Sequence, residues 1–320
     1  RWCFGDIHKI IVVKDVYLFV SYGKIIEGLD LNNISNDEWN EVKHIHADSL
    51  LTIIRLDEKI HYEKFYHLVN DIGNGSRITE SDLEDYNKTK PITRQILRNI
   101  QVDPHRFHML RKVSSLKDEN GIPIGAFGDG ELQWHGDDSG KIDFVPGISL
   151  MGYESMGGTS TGFLQSADYF DSLSESFKSE LMDMTVVHNY VNAKVYVDVM
   201  PEQEELYKLG VCPRDNSKLP LVIKSPSGII GLHLGINTFD YIDGMSKDES
   251  DKLKERLITE SFKEEYIYDY WWENDQNIIL FDNSITLHRR MMKKLSCGAR
   301  MAYRLPFRYE SICGIYEYQL

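Results

Sequence analysis

The sequence has few cysteines and no long apolar run, and each of these shortages excludes a class of protein. Its four cysteines, Cys3, Cys212, Cys297 and Cys313, are scattered among 320 residues and form no CxxC pair. We therefore expect neither a disulfide framework nor a thiolate zinc site, and we expect a reducing compartment such as the cytoplasm. No apolar stretch approaches the roughly 18 residues that a membrane-spanning helix needs, so no membrane partner is expected.

The sequence also lacks an excess of positive charge. Its formal net charge is −14 at pH 7, whereas a general nucleic-acid binder presents a basic face. A local basic pocket remains compatible with this charge. We therefore expect a small-molecule substrate rather than a nucleic acid, and the sequence leaves the formation of a homo-oligomer open. An apolar fraction of 42% is typical of a globular protein with a sizeable core.

What the sequence does contain is a series of short apolar runs, broken by glycine, asparagine or aspartate. They are rich in β-branched and aromatic residues, which favours strands. The runs cover residues 9–13, 16–22, 50–56, 147–153, 194–200, 221–224, 228–234, 277–283 and 300–307. Many strands with few helices predict a mainly β fold, either a β sandwich or a jelly roll with helical additions.

Three segments have the pattern of helices, at residues 62–72, 171–184 and 246–265. Ser172 or Ser174 could cap the second of these. In the third, Ser246 and a glutamate three residues later form a capping-box pattern. The sequence has no repeats and no low-complexity linker, so we expect a single domain over residues 1–320. The polar, irregular stretch around 192–220 is expected to be an insertion or lid.

One polar segment, QWHGDDSG at residues 133–140, places His135 and Asp137 on either side of a glycine. Residues two apart point to the same side of a strand, so both side chains can reach one ion. An apolar strand at 277–281 then leads through a turn signal to His288. Two imidazoles and one carboxylate form a set that binds iron(II) on one face and leaves the opposite face open for oxygen chemistry.

A second histidine cluster competes with this set. His44 and His46 share the same spacing, and Asp48 follows them. An isolated HxD pattern is common by chance, so a third ligand has to decide between the two. The cluster at His44 has no identifiable distal partner, and we therefore favour the set that includes His288.

Four segments of the sequence resemble the TauD/TfdA-like Fe(II)/2-oxoglutarate-dependent dioxygenases. Residues 121–137 are similar to the segment that leads into the family's WHxD motif, and 156–188 to its GGxT segment, the following helix and a closing VH. Residues 241–289 resemble the last helix and the WDNxxxxHR motif, with Phe281 in place of tryptophan, and 50–73 resemble the N-terminal strand and helix. The resemblance implies a double-stranded β-helix, which is a cupin-like jelly roll.

The resemblance also implies roles for individual residues. The three candidate ligands match the family's iron ligands. Arg300, twelve residues after His288, matches an arginine that binds the side-chain carboxylate of 2-oxoglutarate, and a guanidinium fork suits a carboxylate. Arg304 matches a second arginine, which contacts an anionic substrate in some members; a surface salt bridge is its alternative role. Arg289 and Arg290 are expected to face outward.

A threonine after the GG pair shares the binding of 2-oxoglutarate in the family. Here the segment is GGTSTGF, with one apparent extra residue. Thr161 fits best because Phe163 follows it at the family's spacing. Thr159 and Ser160 remain alternatives.

The function implied by the resemblance is hydroxylation of an unactivated C–H bond, with Fe(II), 2-oxoglutarate and O2 as cofactor and cosubstrates and with release of succinate and CO2. We expect a small polar substrate. Glu131 and Asp138 flank the HxD pair, and two carboxylates beside a site would favour a substrate with an ammonium group. With Arg304 at its other end, that substrate would be an amino acid or a similar zwitterion. Alternatively, the two acids turn outward or pair with lysines such as Lys141.

Other classes of function remain as alternatives. A zinc-dependent hydrolase could use the same three ligands, but it would leave Arg300 without a role. A noncatalytic oxygenase-fold binding protein would not need an intact ligand set. A nucleic-acid oxygenase on the same fold is disfavoured by the acidic charge. Halogenases of this kind lack the carboxylate ligand, so Asp137 disfavours halogenation.

Overall fold

The structure of the chain is a computed structural model. It describes residues 12–15, 22–75, 102–103, 106–107, 109–128, 130–142, 144–189, 217–272, 276–292 and 300–313. The predicted strand at 194–200 and most of the predicted insertion at 192–220 lie outside the described residues, as do residues 16–21 of another predicted strand. The insertion and the single-domain organisation therefore stay predictions.

The larger sheet joins strands that are far apart in the sequence. Numbered in chain order, its strands are β1 (Val12–Asp15), β2 (Gly23–Leu29), β3 (Leu51–Leu56), β4 (Arg111–Ser114), β6 (Gly147–Glu154), β14 (Ile278–Asp282) and β16 (Met301–Phe307). Their order in the sheet is β1-β2-β3-β14-β6-β16-β4. Neighbours are antiparallel except for β2 and β3, which run parallel.

The smaller sheet contains β5 (Leu132–His135), β7 (Thr159–Gln165), β13 (Ile267–Trp271) and β15 (Thr286–Met292). Their order is β13-β7-β15-β5, and every pairing is antiparallel. Two minor sheets extend the fold. One has the order β12-β8-β9, and the other pairs β10 with β11. The strands of these two sheets are β8 (Thr185–His188), β9 (Ser217–Pro220), β10 (Val222–Lys224), β11 (Ile230–Leu232) and β12 (Phe239–Ile242).

The central strand β14 is buried over its whole length. Ile279 and Phe281 belong to the core cluster that contains Phe163 of the smaller sheet. Ile278 and Leu280 belong to a second core, on the other face. An uninterrupted apolar run suits a strand that is covered on both faces, whereas a half-exposed strand would alternate apolar and polar residues. The two sheets thus face each other, and the prediction of a mainly β fold is confirmed.

Helices pack against the outer face of the larger sheet and against the two minor sheets. They are α1 (Asn36–Ala47), α2 (Tyr62–Ile72), α3 (Ala167–Ser172), α4 (Glu175–Met182), α5 (Lys247–Ser261) and α6 (Glu310–Cys313), with a 3₁₀ turn at Glu264–Tyr266. The prediction for 62–72 is confirmed, and so is the capping box that Ser246 and Glu249 form at the start of α5. Within the described ranges, no helix combines the length and the apolar character needed to cross a membrane.

The helix predictions were incomplete at two places. The predicted helix at 171–184 is two helices, because the chain is extended at Leu173 and Ser174 caps α4 by accepting a hydrogen bond from the backbone of Phe177. Helix α1 was not predicted from the sequence. Its signal was present, since Ser35 and Glu38 form a reciprocal capping box at the start of that helix.

Candidate metal centre

The two candidate histidines lie opposite each other on neighbouring strands of the smaller sheet. His135 is the last residue of β5, and His288 faces it from β15. Asp137 follows in the turn that leaves β5, and one possible ligand atom from each residue lies within 4.8 Å of the others. His135 Nε2 is 3.9 Å from Asp137 Oδ1, and His288 Nε2 is 4.0 Å from Asp137 Oδ2. The structure therefore brings the predicted triad together.

The ring of His135 is oriented by the backbone. Its Nδ1 lies 2.6 Å from the carbonyl oxygen of Gln133, and a carbonyl can only accept a hydrogen bond. The proton of the neutral ring therefore belongs on Nδ1, which leaves Nε2, 3.9 Å from Asp137 Oδ1, unprotonated and able to bind a metal. A ring nitrogen held in this way is typical of histidines that bind metals.

The turn that carries Asp137 is held by side chains from distant parts of the chain. Asn283 accepts a hydrogen bond from the backbone N–H of Asp137 at 2.9 Å and donates one to its carbonyl at 2.7 Å. The two ring nitrogens of His233 lie 2.6 Å from the carbonyl of Ser284 and 2.5 Å from that of Ser139. Both side chains thus join the turn after β5 to the turn before β15. Neither Asn283 nor His233 was predicted to have a role, although Asn283 lies in the WDN-like motif.

Burial and mutual charge set the protonation of the triad. Burial, together with the ring of His135, lowers the pKa of His288 to about 3. Burial also lowers the pKa of His135, against the attraction of Asp137. For Asp137, burial alone would raise the pKa of the carboxyl, but Arg304 and the two histidines together hold it below its ordinary value. At neutral pH the set is therefore two neutral imidazoles and one carboxylate, which is a suitable donor set for a divalent metal ion.

Arg304 lies on β16 of the larger sheet and reaches across to the triad. Its Nε donates to Asp137 Oδ2 at 2.8 Å, and its Nη2 lies 2.7 Å from the same oxygen. Both side chains are largely buried. Arg304 therefore forms a buried ion pair with a candidate metal ligand, and the alternative of a surface salt bridge is wrong.

A cavity opens beside the triad, with about 610 Å³ of empty space when its open mouth is included. Arg300 and Arg304 line it from one side, and Thr161 and Trp272 from another. The guanidinium of Arg300 donates to the carbonyl of Gly128 at 2.6 Å. The rest of the cavity wall includes six apolar side chains: Val113, Phe127, Leu132, Leu150, Met156 and Ala302.

The structure corrects the expectation for Arg290. Because residues two apart share one face of a strand, Arg290 points to the same side as His288, is largely buried and lines the cavity. It donates to the carbonyls of Phe127 and Gly130 at 2.6 and 2.8 Å. Arg289 also borders the cavity, but its guanidinium is engaged by the carboxylate of Asp269.

Comparison with known proteins agrees with this arrangement. The sequence profile of the family described as "Taurine catabolism dioxygenase TauD, TfdA family" matches residues 27–304 of the chain, which is most of its length. The chain belongs to the TauD/TfdA dioxygenase family. No curated protein sequence matches it.

Solved structures of TauD/TfdA-like proteins share the fold at low sequence identity. A taurine dioxygenase from Burkholderia xenovorans has a TM-score of 0.65 at 18% identity over 93% of this chain and 89% of its own. AAD-2 in complex with Mn(II) and N-oxalylglycine gives 0.64 at 17% identity over 93% and 97%. A putative α-ketoglutarate-dependent 2,4-D dioxygenase from Burkholderia xenovorans gives 0.62 at 15% over 93% and 97%. The predicted jelly-roll fold is thereby confirmed.

The three hydroxyls of the TauD/TfdA-like GGTST segment differ in their hydrogen bonds. The hydroxyl of Thr159 donates to the carbonyl of Met156 at 2.7 Å, so its only proton is engaged. The hydroxyl of Thr161 instead accepts a hydrogen bond from Trp272 Nε1 at 2.9 Å. Its own proton can therefore be donated into the cavity. Ser160 also borders the cavity, and its buried hydroxyl has no hydrogen-bond partner among the described residues.

The two acids that were expected to bind substrate do not line the cavity. Glu131 is exposed. Asp138 forms an ion pair with Lys141 at 2.8 Å, and its side chain is 45% exposed. The alternative that these acids turn outward or pair with lysine is the one that the structure supports.

The competing histidine cluster is not a ligand set. His46 is fully buried in α1, where its Nδ1 lies 2.9 Å from the hydroxyl of Thr52 and its Nε2 lies 3.0 Å from that of Tyr309. Both ring nitrogens are therefore engaged by core hydroxyls, whereas His44 is exposed. Among the described residues, His135, Asp137 and His288 are the only group of histidine, cysteine or acidic side chains whose ligand atoms lie close enough together to hold a metal ion.

Proposed function

We propose that the protein is an Fe(II)- and 2-oxoglutarate-dependent oxygenase that hydroxylates an unactivated C–H bond of a small polar substrate, with release of succinate and CO2. One observation carries the proposal: His135, Asp137 and His288 converge within 4.8 Å at the wall of a cavity that also contains Arg300 and Thr161. A zinc hydrolase would need the first three residues and would have no use for the last two.

The residues of the triad fit an iron(II) ion. Both imidazoles are neutral and the carboxylate is charged, so no proton has to leave before a metal binds. All three ligands come from one side, the smaller sheet and its following turn. The remaining positions around a metal would therefore face the cavity, where a chelating cosubstrate can enter.

Arg300 and Thr161 fit the distal carboxylate of 2-oxoglutarate. A buried guanidinium with a hydroxyl donor is a suitable partner for a carboxylate in a half-closed pocket. The guanidinium now donates to the carbonyl of Gly128, and an incoming carboxylate would be a stronger acceptor. Bound iron and 2-oxoglutarate would supply the activation of O2 and the removal of a hydrogen atom from the substrate.

For the substrate we propose a small molecule with an anionic group, which Arg304 would bind after leaving Asp137. The zwitterion hypothesis loses its structural basis, because Glu131 and Asp138 do not line the cavity. The apolar side chains of the cavity would exclude water from the reacting C–H bond. We also propose a reducing compartment such as the cytoplasm, on the basis of the scattered cysteines.

The proposal is tested by titrating the anaerobic protein with Fe(II) and 2-oxoglutarate. A weak visible band near roughly 500 nm is expected from a 2-oxo acid chelated to iron in an open facial site. Succinate release is then measured in air with a panel of sulfonates, aryloxyacids, betaines and amino acids. Zinc-dependent hydrolysis or noncatalytic binding predicts no such band, and absence of the band in the folded protein would overturn the proposal.

A further inference from the structure

Trp272 has a polar contact that packing alone does not require. It follows β13, its side chain is almost fully buried, and its indole Nε1 donates to the hydroxyl oxygen of Thr161 at 2.9 Å. The backbone joins the two strands at the same place, since Trp272 N donates to the carbonyl of Thr159 at 3.0 Å. Tyr270 pairs with Thr161 across the ladder. The indole is thus held against Thr161 by both main chain and side chain.

The direction of this hydrogen bond is fixed by chemistry. An indole N–H can only donate, so the oxygen of Thr161 must accept. A threonine hydroxyl carries one proton, and a hydroxyl that already accepts is also a somewhat better donor. The hydroxyl proton of Thr161 can therefore be donated to another acceptor. Thr161 lines the cavity together with Arg300, so a ligand in the cavity can be that acceptor. The hydroxyl of Thr159 cannot act in this way, because it already donates its proton to the carbonyl of Met156.

We propose that Trp272 is a positioning residue that holds the hydroxyl of Thr161 as a donor to the distal carboxylate of 2-oxoglutarate. The inference rests on the proposed function. Trp272 acts through Thr161 rather than through the metal centre, so its N–H governs affinity for that one carboxylate. A 2-oxo acid without a distal carboxylate, such as pyruvate, does not use the contact.

The test measures dissociation constants of 2-oxoglutarate and pyruvate for the anaerobic Fe(II) protein, with the visible band of the chelate as the readout for both. Trp272→Phe removes the N–H and keeps an aromatic ring against Tyr270, whose centroid lies 5.2 Å away. For Trp272→Phe we expect the dissociation constant of 2-oxoglutarate to rise about threefold to tenfold. For Thr161→Val we expect the same constant to rise about tenfold or more. The double variant should be no weaker than Thr161→Val alone, and pyruvate binding should stay within about twofold.

Trp39→Phe is a matched control. Trp39 is buried in the core around α1, and its Nε1 has no hydrogen-bond partner among the described residues. Removing that N–H should leave the binding of both 2-oxo acids unchanged. If Trp272→Phe does not fold, replacement of Trp272 by the isosteric 3-benzothienylalanine removes the donor with almost no change of shape.

The outcomes separate the inference from the proposed function. Normal binding of 2-oxoglutarate by the Trp272 variants overturns the inference and leaves the proposed function standing. An equal loss of affinity for 2-oxoglutarate and pyruvate also overturns the inference, as do additive losses of 2-oxoglutarate affinity in the double variant. Either result assigns Trp272 a general packing role. A wild-type protein that binds pyruvate and 2-oxoglutarate equally well overturns it as well. A wild-type protein that chelates neither acid removes the proposed function and the inference together.

Discussion

The two sheets supply the candidate site with different groups that are held in different ways. The smaller sheet contributes the histidines, and the backbone orients one of them, because the carbonyl of Gln133 lies against Nδ1 of His135. The larger sheet contributes Arg300 and Arg304, whose guanidinium groups donate to the carbonyl of Gly128 and the carboxylate of Asp137. An anionic ligand could replace either acceptor. The candidate metal side is thus held by the backbone at His135, whereas the arginine side holds cations on acceptors that can be exchanged.

The largest expected effect comes from removing a histidine of the smaller sheet. His135→Ala or His288→Ala should abolish iron-dependent turnover of 2-oxoglutarate, because two ligands do not hold the ion in its facial geometry. The fold should survive, since the core between the sheets does not depend on the metal. Succinate release and the thermal midpoint check the two statements, with His44→Ala, at an exposed position of α1, as the control. Full turnover in either variant would remove the triad assignment.

The next effect concerns the ion pair between the sheets. Arg304→Met keeps much of the side-chain bulk but leaves the carboxylate of Asp137 buried without its cation, which typically costs about 3–5 kcal/mol of unfolding free energy. Urea denaturation of the metal-free protein measures this cost. Mn(II) should narrow the difference from wild type, because a divalent ion then supplies the missing positive charge.

Arg304→Lys is the control for that prediction. It keeps a positive charge but cannot place two donors on one oxygen, so its loss of stability should be smaller than that of Arg304→Met. An Arg304→Met protein as stable as wild type without metal would mean that the pair with Asp137 does not persist in solution. The guanidinium of Arg304 would then be no more restrained than an exposed cation.

A smaller effect is expected for Arg300. Replacing it with Leu leaves the distal carboxylate of 2-oxoglutarate without its charged partner, and charge-assisted hydrogen bonds contribute about 1.5–3 kcal/mol. Affinity for 2-oxoglutarate should fall roughly tenfold or more, measured with the visible band of the iron chelate. If Arg300→Leu binds normally and Arg304→Leu does not, the roles of the two arginines are exchanged.

The contrast between the sheets also explains what could be predicted from sequence. The histidines lie on strands whose alternation and apolar runs are local signals, and the triad follows from two short motifs. The partner of Arg304 is not a local property, because Asp137 lies in the turn after β5 of the other sheet and meets Arg304 only when the sheets pack. Chain position alone therefore cannot distinguish a substrate contact from an ion pair.

Other differences had signals that were overlooked. Arg290 stands two residues after His288, so strand alternation already placed it toward the cavity rather than outward. The capping box of Ser35 and Glu38 predicted α1 in the same way as the one at Ser246 predicted α5. Glu131 and Asp138 are a different case: both lie outside the named strands, so periodicity gave no information about their direction.

The smallest expected effect concerns Asp138, an exposed residue of the turn that carries the candidate ligand Asp137. Its backbone has a φ of 53°, a left-handed conformation that aspartate and asparagine both adopt more readily than most residues. Asp138→Asn therefore keeps the turn and removes only the exposed ion pair with Lys141. Unfolding free energy should change by less than about 1 kcal/mol, and the dissociation constant of 2-oxoglutarate should not change.

The same variant decides whether the carboxylate of Asp138 takes part in substrate recognition. Lys141→Gln removes the ion pair from the other side and should have the same small effect, which separates loss of the pair from loss of the carboxylate. Succinate release is compared for an amino acid and its deaminated acid in wild type and in Asp138→Asn. Because Asp138 lies outside the cavity, we expect the ratio of the two rates to be the same in both proteins. A ratio that shifts toward the deaminated acid only in Asp138→Asn would mean that this carboxylate binds an ammonium group, and the metal-side turn would then contribute to specificity as well as to ligation.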